Sequence, residues 1–219
     1  MAPRIRLALM VVASLVLIGA LGVVLLARPG DDPQLQASGF AGSLRPAMPP
    51  SDFTLRDETG RRVSLSDFRG QVTVLTFLYT TCEDTCPVTA TTIRGALDDL
   101  GHDVPALAVS VDPANDTERS ARRFLSERRL SGGRMRFLLG ARAQLAPVWD
   151  AYGIRPQGQD FEHSAYVLLI DRAGRQRVSF PVTRLTSEGL VHDIRALEAE
   201  GGAESTTAPT RTAATTRGS

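Results

Sequence analysis

An apolar run that stops at two cysteines constrains this chain more than any other stretch. Val72-Thr73-Val74-Leu75-Thr76-Phe77-Leu78-Tyr79 leads into Thr80-Thr81-Cys82-Glu83-Asp84-Thr85-Cys86-Pro87. A segment so rich in Val, Leu, Phe and Tyr predicts a buried strand. Pro87 then opens a helix, because proline is favoured at a first helical position, where its missing N–H is not needed. That makes Cys86 the N-cap, its sulfur at the positive end of the helix dipole, where a thiolate is favoured. Two thiols of lowered pKa at a strand-to-helix turn are a reactive pair or half of a metal site.

The flanking segments predict the rest of a sheet. Phe53-Thr54-Leu55 and Val63-Ser64-Leu65 alternate about a turn at Asp57-Glu58-Thr59-Gly60, which reads as a hairpin. A helix is expected from Val88 to Leu100, stopped by Gly101, and a second buried strand from Ala106 to Val111. Thr117 caps a helix to about Arg129, Arg136 to Leu139 forms a third strand, and Ala143 to Tyr152 a further helix. Ala165 to Ile170 and Arg177 to Phe180 pair as a hairpin through Asp171-Arg172-Ala173-Gly174, and Leu185 to Glu200 closes with an amphipathic helix. Alternating strands and helices imply an α/β sandwich over residues 51–200. Ligands of such sheets gather at the carboxyl ends of strands, where the cysteines stand.

Outside that domain the chain changes character. Leu7 to Ala27 carries no charge across 21 residues, about 30 Å of helix, enough to cross a bilayer's hydrocarbon core. Arg4 and Arg6 precede it and Asp31 and Asp32 follow Arg28, so residues 1–6 are expected in the cytoplasm. A cleaved signal peptide is the rival reading, but its apolar core usually runs only about 7–15 residues, and no convincing small-x-small site follows Leu26. The expectation is a single-pass plasma-membrane protein with its domain on the extracytoplasmic side (periplasmic or cell-surface). Residues 28–50 form a polar linker. The stretch 201–219, rich in Thr, Ala and Gly, predicts disorder. Residues 28–219 hold 23 basic and 24 acidic side chains, the basic ones all Arg. Acids interleave Arg119, Arg122, Arg123, Arg128 and Arg129, which excludes a nucleic-acid patch in favour of a solvated helix face.

Two cysteines are too few for a disulfide framework in an exported body. A bridge closing so short a loop would restrain the unfolded chain weakly, so the pair reads as functional. Cβ atoms four residues apart near a helix start lie about 5–6 Å apart. That is wide for a relaxed disulfide and comfortable for two sulfurs converging on a metal, though loop residues can adjust. Of three histidines, His102 lies in a polar turn and His192 among Asp193 and Arg195, both expected on the surface. His163 stands directly before an apolar strand. A parallel neighbour would carry it to the far end of the sheet, an antiparallel one beside the cysteines.

Phe77-Leu78-Tyr79-Thr80-Thr81-Cys82-Glu83-Asp84-Thr85-Cys86-Pro87, Val109-Ser110-Val111-Asp112-Pro113 with Asp116-Thr117, and Glu162-His163-Ser164 together resemble the SCO/SenC family of membrane-anchored copper proteins. The resemblance runs from about Phe53 to Leu197. It implies a thioredoxin-like fold carrying an N-terminal β-hairpin, preceded by one transmembrane helix. It implies one copper, Cu(I) or Cu(II), bound by Cys82, Cys86 and His163. It also implies a role in assembling the copper site of cytochrome c oxidase, with that enzyme's copper-bearing subunit or another copper chaperone as partner. Two departures stand out: Glu162 where the family commonly has Asp, and Glu83 where it commonly has Pro. Two thiolates and an imidazole suit soft Cu(I) and still permit Cu(II). Zinc would take the same donors but usually gains a fourth.

Two other readings use the same thiols. A thiol–disulfide oxidoreductase acting on a partner's cysteines needs only Cys82 and Cys86. Relatives of that kind usually place a cis-proline before the strand facing the thiols, and no proline occurs from Gln157 to Phe180. A peroxiredoxin-like peroxidase is weaker still, since no proline occurs between Pro50 and Cys86.

Overall fold

The computed structural model describes residues 39–46, 50–155 and 166–206, the last six by their backbone. The expected spanning segment 7–27, His163 and the tail beyond residue 206 lie outside the described residues. Among the described residues no helix is long and apolar enough to cross a membrane.

The segment expected as a linker contributes to the sheet. Ser43–Leu44 (β1) pairs antiparallel with Gln176–Pro181 (β8), and the compact unit begins at Phe40, not at residue 51. Two residues carry no periodicity, so β1 has no signature of its own; its partners are elsewhere. The buried carboxylate of Asp193 accepts the backbone N–H of Ala41 at 2.7 Å and of Gly42 at 2.8 Å.

The expected hairpin is present as Thr54–Arg56 (β2) with Arg62–Ser64 (β3), in register Leu55 opposite Val63. It forms its own two-stranded sheet, tied to the main sheet where Arg56 N–H donates to the Leu139 carbonyl at 3.2 Å and Leu139 N–H to that of Arg56 at 2.7 Å.

Thr73–Leu78 (β4) is buried at every position. Successive side chains of a strand point to opposite faces, so both faces of β4 are covered. Beside it runs Ala106–Ser110 (β5) in parallel, then Arg136–Leu138 (β6), also parallel. On the other side Tyr166–Ile170 (β7) is antiparallel, with Val167 opposite Thr76 and Ile170 opposite Thr73. The order is β1-β8-β7-β4-β5-β6.

Among the described residues four α-helices complete the unit: Thr85–Leu100 (α1), Glu118–Glu127 (α2), Arg142–Tyr152 (α3) and Ser187–Thr206 (α4). Thr117 caps α2 as expected, its side chain accepting the Ser120 N–H. Helices α1 and α4 pack together, with the Ser187 hydroxyl donating to the Thr92 carbonyl at 3.0 Å. From α3, Tyr152 packs on Phe77 and Phe53 with ring centroids 5.8 and 6.2 Å apart. Helix α4 runs past Glu200 into the stretch expected to be disordered. Gly201 and Gly202 oppose that continuation by about 1 kcal/mol each, while Ala203 and Glu204 favour it. The architecture is a thioredoxin-like α/β sandwich with an N-terminal β-hairpin.

Candidate metal centre

Strand β4 ends at the cysteine loop, and the register of the sheet determines what else ends there. Because β7 is antiparallel to β4, its first residue, Tyr166, lies at the cysteine end; the Thr76 hydroxyl donates to the Tyr166 carbonyl at 3.2 Å. Tyr166 also faces Pro181, the last residue of β8.

Helix α1 starts earlier than the proline rule predicts. Its N-cap is Asp84, Thr85 is its first residue, Cys86 its second and Pro87 its third. Proline is tolerated throughout a first turn, whose N–H groups have no helical partner. The Asp84 side chain makes no capping bond. The sulfur of Cys82 takes that role, accepting the Cys86 N–H at 3.2 Å. Cys86 is therefore not the cap, and Cys82 is the thiol held at the helix's positive end.

Both cysteines are free thiols and both are buried. Their electrostatics differ. Burial works against ionising Cys82, but hydrogen bonds from the Cys86 thiol and N–H, the Tyr79 hydroxyl and the Asp84 N–H outweigh it and hold this thiol below its ordinary value. Burial pushes the Cys86 thiol up, and its hydrogen bond to Cys82 adds to the rise. Burial likewise raises the Tyr79 hydroxyl, which donates to the same sulfur. The expectation of two lowered thiols is thus corrected: the fold lowers Cys82 and raises Cys86.

A cleft of about 30 Å³ opens beside Cys86, lined among others by Tyr79, Thr85, Thr89, Val111, Ile154 and Val182. Around it Glu83, Asp84 and Val88 are exposed, Val88 by 66%. His102 pairs with Glu198 at 2.9 Å and His192 with Asp193 at 2.8 Å, both on the side of solvent and neither with the cysteines. Among the described residues, no group of three His, Cys, Asp or Glu side chains forms a metal-binding cluster. The structure brings Cys82 and Cys86 together; His163 lies outside what it describes.

Two further residues, Tyr79 and Asp116, belong to this end of the sheet. Tyr79 reads as the last apolar residue of a strand, yet its hydroxyl serves Cys82. Asp116 reads as part of a polar loop, yet it is buried, with its carboxylate on the cysteine loop. Burial pushes its carboxyl up, against hydrogen bonds from Ser110 and Thr80. Neither residue type signals such a role without the fold.

A family model described as SCO1/SenC matches residues 44–198. The chain belongs to the SCO1/SenC family. The SCO1 protein homolog of Bacillus subtilis is 35% identical over 91 residues, covering 40% of this chain and 47% of that one. The SenC protein of Rhodobacter capsulatus is 33% identical over 129 residues, covering 54% and 57%. The chain thus spans about half the length of the curated SCO1/SenC relatives it matches. Among solved structures, Bradyrhizobium japonicum ScoI with copper bound superposes with a TM-score of 0.59 at 29% identity, covering 68% of this chain and 99% of that one.

Proposed function

We propose that this chain is an extracytoplasmic, membrane-tethered copper chaperone that helps assemble the copper site of cytochrome c oxidase. Cys82 and Cys86 supply thiolate ligands and His163 the third donor. The observation that carries the reading is the convergence of two free thiols, one of them lowered by its hydrogen bonds, at the end of the sheet where β7 begins. His163 precedes Tyr166 by three residues, so the chain holds it within about 11 Å of Tyr166, Cα to Cα. The donor chemistry fits: soft thiolates select Cu(I), and an imidazole keeps Cu(II) accessible. Copper here is cargo, and binding it displaces the proton that burial keeps on Cys86.

The oxidase's copper-bearing subunit or another copper chaperone is the partner this reading implies, and Leu7 to Ala27 is its anchor. Anaerobic titration of the full-length chain with Cu(I), and aerobic titration with Cu(II), tests the site. One copper per chain is expected, lost or weakened in Cys82→Ala, Cys86→Ala and His163→Ala. Unchanged stoichiometry and affinity in Cys82→Ala or His163→Ala refutes the ligand set.

One observation favours thiol–disulfide exchange as a second reading. A lowered thiol hydrogen-bonded to a raised one is the division of labour between an attacking thiolate and its resolving partner. That role dispenses with His163, so His163→Ala separates the two: it weakens or abolishes copper binding and leaves exchange intact.

A further inference from the structure

The carboxylate of Asp116 lies outside the cysteine loop and fastens it. Asp116 follows β5 in the turn before α2 and is only 8% exposed. Its Oδ1 accepts both the backbone N–H and the Oγ1–H of Thr80, each at 2.7 Å, and its Oδ2 accepts the Ser110 hydroxyl at 2.5 Å. Ser110 is itself anchored: its carbonyl takes the Trp149 indole N–H at 2.9 Å, and its Oγ takes the Asp112 N–H at 3.2 Å. One side chain thereby joins Thr80, two residues before Cys82, to the end of β5 and, through Ser110, to α3.

A buried carboxylate is costly unless its oxygens are satisfied, and charge-assisted bonds are shorter and stronger than neutral ones. Asp116 meets both conditions with donors from the two segments that frame the cysteines. An apolar side chain of similar volume would fill the space, but it would leave the part-buried Thr80 N–H without its acceptor. The bonds thus serve the placement of the loop. The Cys86 N–H reaches the Cys82 sulfur only while that loop stays folded beneath the start of α1.

We propose that Asp116 is the positioning residue of the thiol pair: through Thr80 it holds the Cys82 sulfur against the Cys86 N–H and keeps both sulfurs out of solvent. Residues beyond the ligands that fix ligand orientation commonly change metal affinity by about 10–100-fold when removed. The copper part of this inference rests on the function proposed above; the thiol part does not.

Full-length wild type, Asp116→Ala, Asp116→Asn and Thr80→Val are compared in two measurements. The first is the iodoacetamide alkylation rate of reduced Cys82 at fixed pH, resolved by peptide mass spectrometry. The second is Cu(I) affinity by competition. Asp116→Ala is expected to speed Cys82 alkylation and weaken Cu(I) binding, each about tenfold. Asp116→Asn, which keeps an acceptor for Thr80, recovers part of both. Thr80→Val, which deletes one bond to Oδ1, moves both the same way by about threefold.

Asp193→Ala removes another buried carboxylate that binds backbone N–H groups, remote from the cysteines, and controls for general destabilisation. Rates and affinities within about twofold of wild type in Asp116→Ala overturn the proposal. So does an equal effect of Asp193→Ala. Should Asp116→Ala not fold, Thr80→Val decides, and an unchanged Cys82 rate overturns the proposal. If wild type takes up no copper, the chaperone reading falls and the alkylation measurement still decides the role of Asp116.

Discussion

Replacing Asp193 by Ala should release the N-terminal edge of the sheet. In the folded domain this fully buried carboxylate divides its oxygens between two successive amides, Ala41 through Oδ1 and Gly42 through Oδ2. Alanine leaves both without an acceptor. The Gly42 bond is buried, so its loss costs about 2 kcal/mol; the Ala41 bond is part-buried and water replaces it partly, for about 1 kcal/mol. The contact of Asp193 with the exposed His192 adds little. The total is about 3 kcal/mol, which in a domain of this size lowers Tm by about 6–12 °C. Differential scanning calorimetry reads that shift, and hydrogen exchange locates it. The amides of Ala41, Gly42 and Arg45, the last bonded to the Arg177 carbonyl at 2.9 Å, should exchange faster, while Leu168 in the central strand stays protected. Asp193→Asn keeps one carbonyl oxygen and should recover about half the loss. A Tm within about 2 °C of wild type for Asp193→Ala would mean that β1 is held by its pairing to β8 alone, and the reasoning fails.

Three further outcomes follow from the same structure. At neutral pH, alkylation of the reduced protein should strike Cys82 before Cys86, because the fold lowers the first thiol and raises the second; peptide mapping that finds the reverse order refutes the assignment. Hydrogen bonds from Thr59 and Arg61 outweigh burial at Asp57 and hold its carboxyl below its ordinary 3.8, so its contribution is present above that value and lost as pH falls through the folded pKa. Acid titration of stability should show that loss below about pH 4, and Asp57→Asn should flatten it; an identical slope in both proteins counts against the mechanism. Gly42→Ala would set a Cβ 2.4 Å from Val178 Cγ1 and 2.9 Å from the Phe180 ring, at a cost of about 1–3 kcal/mol in denaturant melts, whereas an unchanged midpoint would show that the edge can shift away.

What the sequence makes legible is what periodicity and punctuation encode. The run through Phe77 and Leu78, the Thr117 cap, the Gly101 stop and the two hairpins all express local rules, and they appear within a few residues of expectation. Strand β1 was not legible, because a two-residue strand has no period. The partners that hold this edge are on β8 and on Asp193, about 135 and 150 residues away. Tyr79 and Asp116 were illegible as site residues for a related reason. A tyrosine ending a strand and an aspartate in a turn are ordinary, and only the fold reveals that one donates to Cys82 and the other accepts from Thr80.

The cysteine pair shows where a sound local rule meets a competing bond. Proline at a first helical position places the cap at Cys86, and with it the favoured thiolate. The helix instead begins at Thr85 because the Cys82 sulfur, reaching from the preceding loop, serves as an acceptor for an otherwise unmatched N–H. With the cap two residues earlier, the lowered thiol is Cys82 and not Cys86. Cys82, served by the Tyr79 hydroxyl, the Cys86 N–H and the Asp84 N–H, is stabilised as a thiolate; Cys86, buried against it, keeps its proton. On the function proposed above, a soft metal ion or a partner's disulfide would find the lowered thiol at Cys82 and the raised one at Cys86. The difference between the two thiols comes from burial and from the hydrogen bonds of the folded loop, which residue types and spacing do not contain.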